Sequence, residues 1–146
     1  MEKIPINLDF KGICGVILTR HSDHSVTLDM GKYILKSLLP KCGMDHVPAA
    51  LTPSLAGFFD PPIDNTLFDP ITFQSANGCL IYLLPIRHDI RQEIVYLCSL
   101  NSKPTVSCRT KQIQVLRYLK GCPYLGVTYS ANLLNFPDGP EDSMLE

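Results

Sequence analysis

The spacing of apolar residues changes along the chain, and its first part is typical of strands. Residues 10–19 are rich in β-branched and apolar side chains, residues 21–25 are polar, and residues 26–28 alternate apolar and polar positions. Alternation with a period of two indicates strands, and a polar stretch between two such runs indicates a turn. The sequence therefore predicts an N-terminal β-hairpin.

Helical spacing follows the hairpin. Residues 33–39 predict a short helix that Pro40 and Gly43 end, because proline lacks the backbone N–H that a helix uses and glycine favours the conformation that terminates one. Three longer helices are predicted further along the chain, at residues 73–84, 89–100 and 104–119.

Residue types at the helix ends support these boundaries. Pro85 ends the first long helix, and Pro104 suits the first turn of the third, where its missing N–H costs nothing. Thr105 or Ser102 is expected to cap that helix, and Gly121 to end it. A short strand is predicted at residues 125–129, after the last helix.

Residues 45–70 contain five of the twelve prolines, so they form neither a long helix nor a central strand. We expect this segment to wrap around the protein, because six of its apolar side chains require burial: Leu51, Leu55, Phe58, Phe59, Leu67 and Phe68. The predicted fold class is α+β, with an N-terminal hairpin, a helical subdomain and a C-terminal strand. We divide the chain at residues 1–44, 45–70, 71–121 and 122–146.

Composition narrows the class of protein. With 146 residues, 45% of them hydrophobic, the chain is long enough for a core and too apolar to be wholly disordered. Its longest apolar run, at residues 78–86, is shorter than the roughly 18 residues of a membrane helix. The start of the chain lacks the apolar region of a secretory signal. We therefore predict an intracellular protein, in the cytoplasm or nucleus, that is not secreted and has no membrane partner.

Six cysteines are present, but no two have the C-x-x-C spacing of zinc or redox motifs. Without a secretory signal, reduced and buried thiols are expected. His21 and His24 lie three residues apart and would face one metal ion only in a helix. Because they fall in the predicted turn, a polar hairpin tip is the favoured interpretation.

The net charge of −1 hides an uneven distribution. Residues 42–86 hold four acids and no lysine or arginine, whereas residues 87–137 hold seven bases and two acids. In the third long helix, Arg109, Arg117 and Lys120 fall within about 80° of one another at 100° per residue. Ile113 lies in the same arc and Lys111 points elsewhere. The residues alone leave two interpretations: a solvated helix face or a stripe that contacts nucleic-acid phosphates.

Motifs of common catalytic sites are missing. The sequence has no glycine-rich phosphate loop and no nucleophile elbow, and its only adjacent acidic pair is Glu141 and Asp142. Two-metal phosphoryl transfer requires clustered carboxylates. The residues therefore offer no candidate catalytic or metal site.

Three motifs, in order, resemble the copia-type reverse transcriptase of LTR retrotransposons. RYLKGCPYLGVTYS at residues 117–130 resembles the family's R-Y-L-K-G-T-x-x-L-G-L-x-Y-S, and FQSANGCLIYL at 73–83 resembles Y-R-S-L-V-G-S-L-L-Y-L. RHDI at residues 87–90 stands where the family has R-P-D-I. The N-terminal part resembles F-L-G-I, I-x-L, Y-I-x-x-L-L and F-G-M, at residues 10–13, 26–28, 33–39 and 42–44.

The resemblance implies a position within the Pol polyprotein. Residues 1–44 would be the end of the palm, residues 71–121 the helical thumb, and residues 122–146 a strand and acidic tail at the start of RNase H. In the family the thumb grips the RNA/DNA primer–template duplex. Four basic residues would make that contact here, namely Arg109, Lys111, Arg117 and Lys120. Other Pol segments are further expected partners.

The resemblance also implies that this chain performs no catalysis alone. The polymerase carboxylates of the family, in its Y-V-D-D motif, lie upstream of the matched region. Asp138 matches the first RNase H carboxylate, but the others have no counterpart, and one aspartate does not hold the two Mg²⁺ ions that the family uses. We expect Asp138 to be inert and the chain to bind no cofactor. The alternatives are a non-enzymatic nucleic-acid-binding module and an interaction protein that docks through residues 49–68.

Overall fold

The computed structural model describes residues 13–130, which form a small sheet and a group of helices. Strands β1 (Ile17–Arg20), β2 (Val26–Asp29) and β3 (Val127–Tyr129) form an antiparallel sheet in the order β1-β2-β3. Leu28, in the central strand, is paired with Leu18 on one side and Val127 on the other. The predicted α+β class, with its N-terminal hairpin and C-terminal strand, is confirmed.

The hairpin turn is held by Asp23. Its carboxylate accepts hydrogen bonds from the backbone N–H of Ser25 at 3.0 Å and from the Ser25 hydroxyl at 2.6 Å, and these bonds lower the pKa of Asp23. The prediction of a strand from residue 10 is wrong over Ile13–Gly15, which is a 3₁₀ turn. Cys14 (φ 56°) and Gly15 (φ 78°) have left-handed backbone conformations that a strand excludes. Residues 10–12 lie outside the described part.

One helical stretch follows the hairpin: α1 (Gly31–Tyr33), a π-helical segment (Ile34–Leu38) and α2 (Leu39–Lys41). The prediction that Pro40 ends this helix is wrong, because Pro40 lies inside α2. The wider π-helical turn before it accommodates a ring that would clash in a regular α-helix. Gly43 (φ 70°) ends the stretch, as predicted, and Met44 N–H donates to the Leu39 carbonyl at 2.8 Å.

The three long helices are α3 (Pro70–Ile81), α4 (Arg91–Ser99) and α5 (Val106–Gly121). Helix α3 begins three residues earlier than predicted, because Asp69 caps it and accepts from the N–H groups of Ile71 and Thr72. A 3₁₀ turn, His88–Ile90, forms the predicted start of the second helix.

The caps of α5 agree closely with the sequence. The Thr105 hydroxyl accepts from Cys108 N–H, so Thr105 rather than Ser102 is the N-cap. Pro104 precedes the helix instead of opening its first turn. Gly121 is its last residue, and a Cβ there would lie 2.9 Å from the Ala50 carbonyl oxygen. Glycine is therefore required for close contact with the proline-rich segment.

The core joins the helical stretch to α3, α4 and α5. Buried side chains of these elements and of the residues next to them form one cluster, which includes Met30, Ile34, Leu38, Phe73, Leu80, Leu83, Ile90, Ile94, Leu97, Val115, Leu116 and Leu119. Phe58 brings the proline-rich segment into this cluster, being 4% exposed.

Most of the expected burial of the proline-rich segment is wrong. Leu51 is 97% exposed, Leu67 70%, Leu55 63% and Phe59 47%. Phe58 is buried and Phe68 packs partly buried against the core. The segment does wrap over α5, and much of its contact with that helix is made by its backbone.

The cysteines are free thiols, all six within the described residues. Only Cys108 is fully buried, Cys14 is exposed and the other four are half-buried, so the expectation of general burial is wrong. Across residues 13–130 none of the helices is long and apolar enough to cross a membrane.

Candidate nucleic-acid interface

Helix α5 carries all four predicted nucleic-acid contacts, and it is covered on most sides. Arg109, Lys111, Arg117 and Lys120 are each half-buried, whereas Thr110 is exposed. The predicted duplex-gripping face is therefore largely occupied by the protein itself.

The two basic residues near the end of α5 hold the start of the proline-rich segment. Arg117 Nε donates to the Pro48 carbonyl at 2.8 Å. Lys120 Nζ donates to the carbonyls of Val47, at 2.9 Å, and Asp45. The backbone adds a third attachment, because Ala50 N–H donates to the Arg117 carbonyl at 3.0 Å. These two cations serve as clamps on one stretch of backbone.

Lys111 holds the other end of the same segment. Its Nζ donates to the Asp60 carbonyl at 2.6 Å and to the Tyr96 hydroxyl at 3.2 Å. It also lies 5.0 Å from the centre of the Tyr96 ring, within the range of a cation–π interaction. Lys111 points away from Arg117 and Lys120, as the helical spacing predicts, and two of its three N–H donors bind groups of the protein.

Arg109 makes its side-chain hydrogen bond within α5 and faces a cleft. It donates to Gln112 Oε1 and lies 5.6 Å from the centre of the Phe68 ring. The cleft beside it is also lined by Lys41, which belongs to α2. Arg109, Arg117 and Lys120 share one side of α5, but they have different contacts. Arg117 and Lys120 bind the proline-rich segment, whereas Arg109 lines the cleft.

Two buried amides in α5 were missed by the sequence reasoning. Gln112, fully buried, donates to the Phe73 carbonyl at 3.0 Å and to Asn77 Oδ1 at 2.6 Å, linking α5 to α3. Gln114 donates to the Thr52 carbonyl at 2.8 Å. Both residues sit close to apolar positions of the helix. A polar residue in such a place is the signal of a buried hydrogen-bonded group.

The RHDI motif forms the single ion pair found among residues 13–130. The Arg87 side chain is fully buried and binds Asp89 through two hydrogen bonds of 2.9 and 2.8 Å. Arg87 also donates to the Cys122 carbonyl at 2.8 Å, and Tyr118 donates to Asp89 Oδ2 at 2.8 Å. The motif therefore ties the loop before α4 to the end of α5.

The ionised forms of this pair are favoured. Burial raises the pKa of Asp89, but hydrogen bonds from Arg87 and Tyr118 outweigh it, so the pKa lies below its usual value. Burial also disfavours the charged form of Arg87 and therefore lowers its pKa. The hydrogen bonds to Asp89 and Cys122 raise the pKa by more than burial lowers it. The pair stays charged at neutral pH and acts as a structural link.

The strongest stretch of the resemblance, residues 117–130, thus has structural contacts at most of its named positions. Gly126 completes the set, because a Cβ there would overlap the Leu28 carbonyl oxygen in β2. Tyr118 binds Asp89, and Leu119 is buried in the core. The RYLKG and LG elements therefore hold the helices, the proline-rich segment and the sheet together.

The exposed lysines and arginines of residues 13–130 lie outside α5. They are Arg20 in β1, Lys32, Lys36 and Lys41 on the helical stretch, Arg91 in α4 and Lys103 after it. None of them has a carboxylate within 4.0 Å among the described residues. Lys32 and Lys36, four residues apart, share one face of the stretch, because residues so spaced stack along a helix.

Metal-binding geometry is not found in residues 13–130, where no three His, Cys, Asp or Glu side chains group closely enough to bind an ion. His21 Nε2 instead bonds Thr27 Oγ1 at 2.8 Å in the polar hairpin tip. Asp138 lies outside the described residues. Comparison with protein-family models, curated proteins and solved structures finds no significant match.

Proposed function

We propose that the chain is the palm-end and thumb-region piece of a copia-type reverse transcriptase, without catalysis of its own, and that it contacts the RNA/DNA primer–template duplex. The order of the three motifs supports the family. The duplex contact is assigned to exposed lysines of the helical stretch rather than to the four cations of α5.

The observation that carries this proposal is the pair Lys32 and Lys36. Both are exposed, lie on one helix face and have no carboxylate partner in the described residues. The opposite side of the same stretch is anchored in the core through Ile34 and Leu38. A rigid helix that presents unpaired lysines is suited to phosphate contacts, which depend on position and charge rather than on sequence.

Fluorescence anisotropy with a labelled RNA/DNA hybrid, repeated over a range of salt concentrations, tests the contact. The double variant Lys32→Gln/Lys36→Gln should bind more weakly and lower the salt slope by about 2, or about 1 for each phosphate contact removed. Lys103→Gln removes an exposed cation elsewhere and should change little. Equal binding by the double variant and the wild type would refute the assignment.

Catalysis is tested separately by nucleotide incorporation on a primed RNA template with Mg²⁺ or Mn²⁺. We expect no product from this chain alone. Template-dependent primer extension that co-purifies with this chain through every chromatography step would overturn the non-catalytic part of the proposal.

A second candidate function, docking onto another Pol segment, is favoured by the exposed apolar side chains of the proline-rich segment. Leu51 and Ile63 are each 97% exposed, on a backbone that α5 holds in place. Size-exclusion chromatography with a copia-type polymerase domain should give a complex that Leu51→Lys/Ile63→Lys abolishes. Separate elution of wild type and polymerase domain would rule this candidate out.

A further inference from the structure

A cleft of about 280 Å³ lies where α2, α3 and α5 meet. Lys41 of α2 and Arg109 of α5 line the cleft, together with Cys42, Ser75 and Cys79. No motif or resemblance singles out this combination, because the residues come together only in the fold.

The cleft offers hydrogen-bond donors that are not used. Of the five N–H donors of the Arg109 guanidinium, one bond goes to Gln112; of the three on Lys41, one goes to Cys79 Sγ at 3.4 Å. The Ser75 hydroxyl makes no hydrogen bond to any described residue. Within residues 13–130 neither cation has a carboxylate within 4.0 Å.

Negative charge inside the cleft is low. Asp69 is the cap of α3 and uses its carboxylate on the N–H groups of Ile71 and Thr72. Burial and the neighbouring Cys79 raise the pKa of the Cys42 thiol, so Cys42 is protonated and uncharged at neutral pH. Two cations and a hydroxyl therefore line the cleft with hydrogen-bond donors that an anion could accept from.

We propose that this cleft binds a phosphate oxyanion, with Lys41 and Arg109 neutralising its charge and Ser75 donating a further hydrogen bond. Its volume falls below the about 300 Å³ at which sites for drug-sized ligands begin, which suits a single phosphate group. Arginine matches phosphate geometry through paired donors. The cleft is a separate site from the face of Lys32 and Lys36, and it does not depend on the proposed duplex contact.

Thermal denaturation of the full chain in inorganic phosphate, against chloride at equal ionic strength, tests the site. Phosphate should raise the melting temperature in a saturable way, because a ligand that binds only the folded state stabilises it. Lys41→Gln and Ser75→Ala should each weaken phosphate binding, Lys41→Gln by about tenfold, since one charge-assisted hydrogen bond is lost. Lys103→Gln makes the same charge change outside the cleft and outside the face of Lys32 and Lys36, and should bind phosphate normally.

The source of the phosphate is resolved by repeating the duplex titration with Lys41→Gln. Loss of phosphate binding with unchanged duplex affinity indicates a site for a free phosphate group. Loss of both indicates that the cleft takes a phosphate of the nucleic-acid backbone. Absence of a saturable phosphate effect in the wild type, or equal phosphate binding by Lys41→Gln and Lys103→Gln, would overturn the proposal, whatever the duplex assay shows.

Discussion

The ion pair between Arg87 and Asp89 provides the sharpest test of how this fold is held together. Asp89→Asn keeps the shape of the side chain but leaves the fully buried Arg87 guanidinium without its anion. Breaking a buried pair in this way costs about 3–5 kcal/mol. The Asp89 side chain is 29% exposed and the asparagine oxygen still accepts a hydrogen bond, so we expect the lower end, about 3 kcal/mol.

This loss should lower the melting temperature by about 10 °C for a domain of this size. Urea denaturation followed by circular dichroism measures the free energy of unfolding, and an unchanged m-value would show that the unfolded state is the same. Asp45→Asn is the matched control, because the exposed Asp45 uses only its backbone carbonyl, as an acceptor for Lys120. It should stay within about 0.5 kcal/mol of the wild type.

A double variant separates charge from packing. Arg87→Met/Asp89→Asn removes the buried charge as well as its partner, so it should be more stable than Asp89→Asn alone. If Asp89→Asn unfolds at the same urea concentration as Asp45→Asn, or if the double variant is the least stable of the three, the assignment of Arg87 as a buried structural charge is refuted.

Three further predictions concern the same interlocking contacts. Because the pKa of Asp89 is lowered in the folded state, the ionised carboxylate stabilises the fold above about pH 4, and this stabilisation is lost as the pH falls further. The free energy of unfolding, measured over an acid pH range, should therefore change less with pH for Asp89→Asn than for the wild type. Gly126→Ala should lower the free energy of unfolding in urea by about 2 kcal/mol, because the added Cβ meets the Leu28 carbonyl. Gly78→Ala, which adds a Cβ in open space within α3, should raise it by about 0.5–1 kcal/mol. Equal effects of the two substitutions would contradict this. Lys120→Met should cost about 1 kcal/mol and speed amide exchange of Ala50, and unchanged exchange would show that the lysine clamp does not hold the segment.

Local signals predicted the helices well, and α5 shows why. A threonine able to cap and a glycine able to end the helix bracket residues 106–121, and both act within one turn of the backbone. The same reasoning failed at Pro40, because nothing in the local pattern reveals a π-helical turn that accommodates the ring. The strand Val127–Tyr129 was predicted as a strand, but its pairing with β2 depends on the whole intervening chain.

The proline-rich segment failed for a different physical reason. Counting apolar residues predicts burial of side chains, and Phe58 follows that rule. Much of the remaining attachment is made by backbone carbonyls, which every residue carries and no sequence pattern marks. Once these carbonyls face α5, side chains such as those of Leu51 and Ile63 point to the surface. A segment can therefore wrap a helix closely and still expose its apolar residues.

The basic block of α5 has a physical explanation that does not involve nucleic acid. Carbonyls in an irregular, proline-rich segment lack the partners that regular secondary structure supplies, and a buried carbonyl without a donor is unfavourable. Lys111, Arg117 and Lys120 supply those donors on α5. Neutralising them would weaken duplex binding by loosening the fold, whether or not they touch a phosphate. Exposed cations that bind none of these carbonyls, such as Lys32 and Lys36, distinguish a nucleic-acid contact from a structural effect.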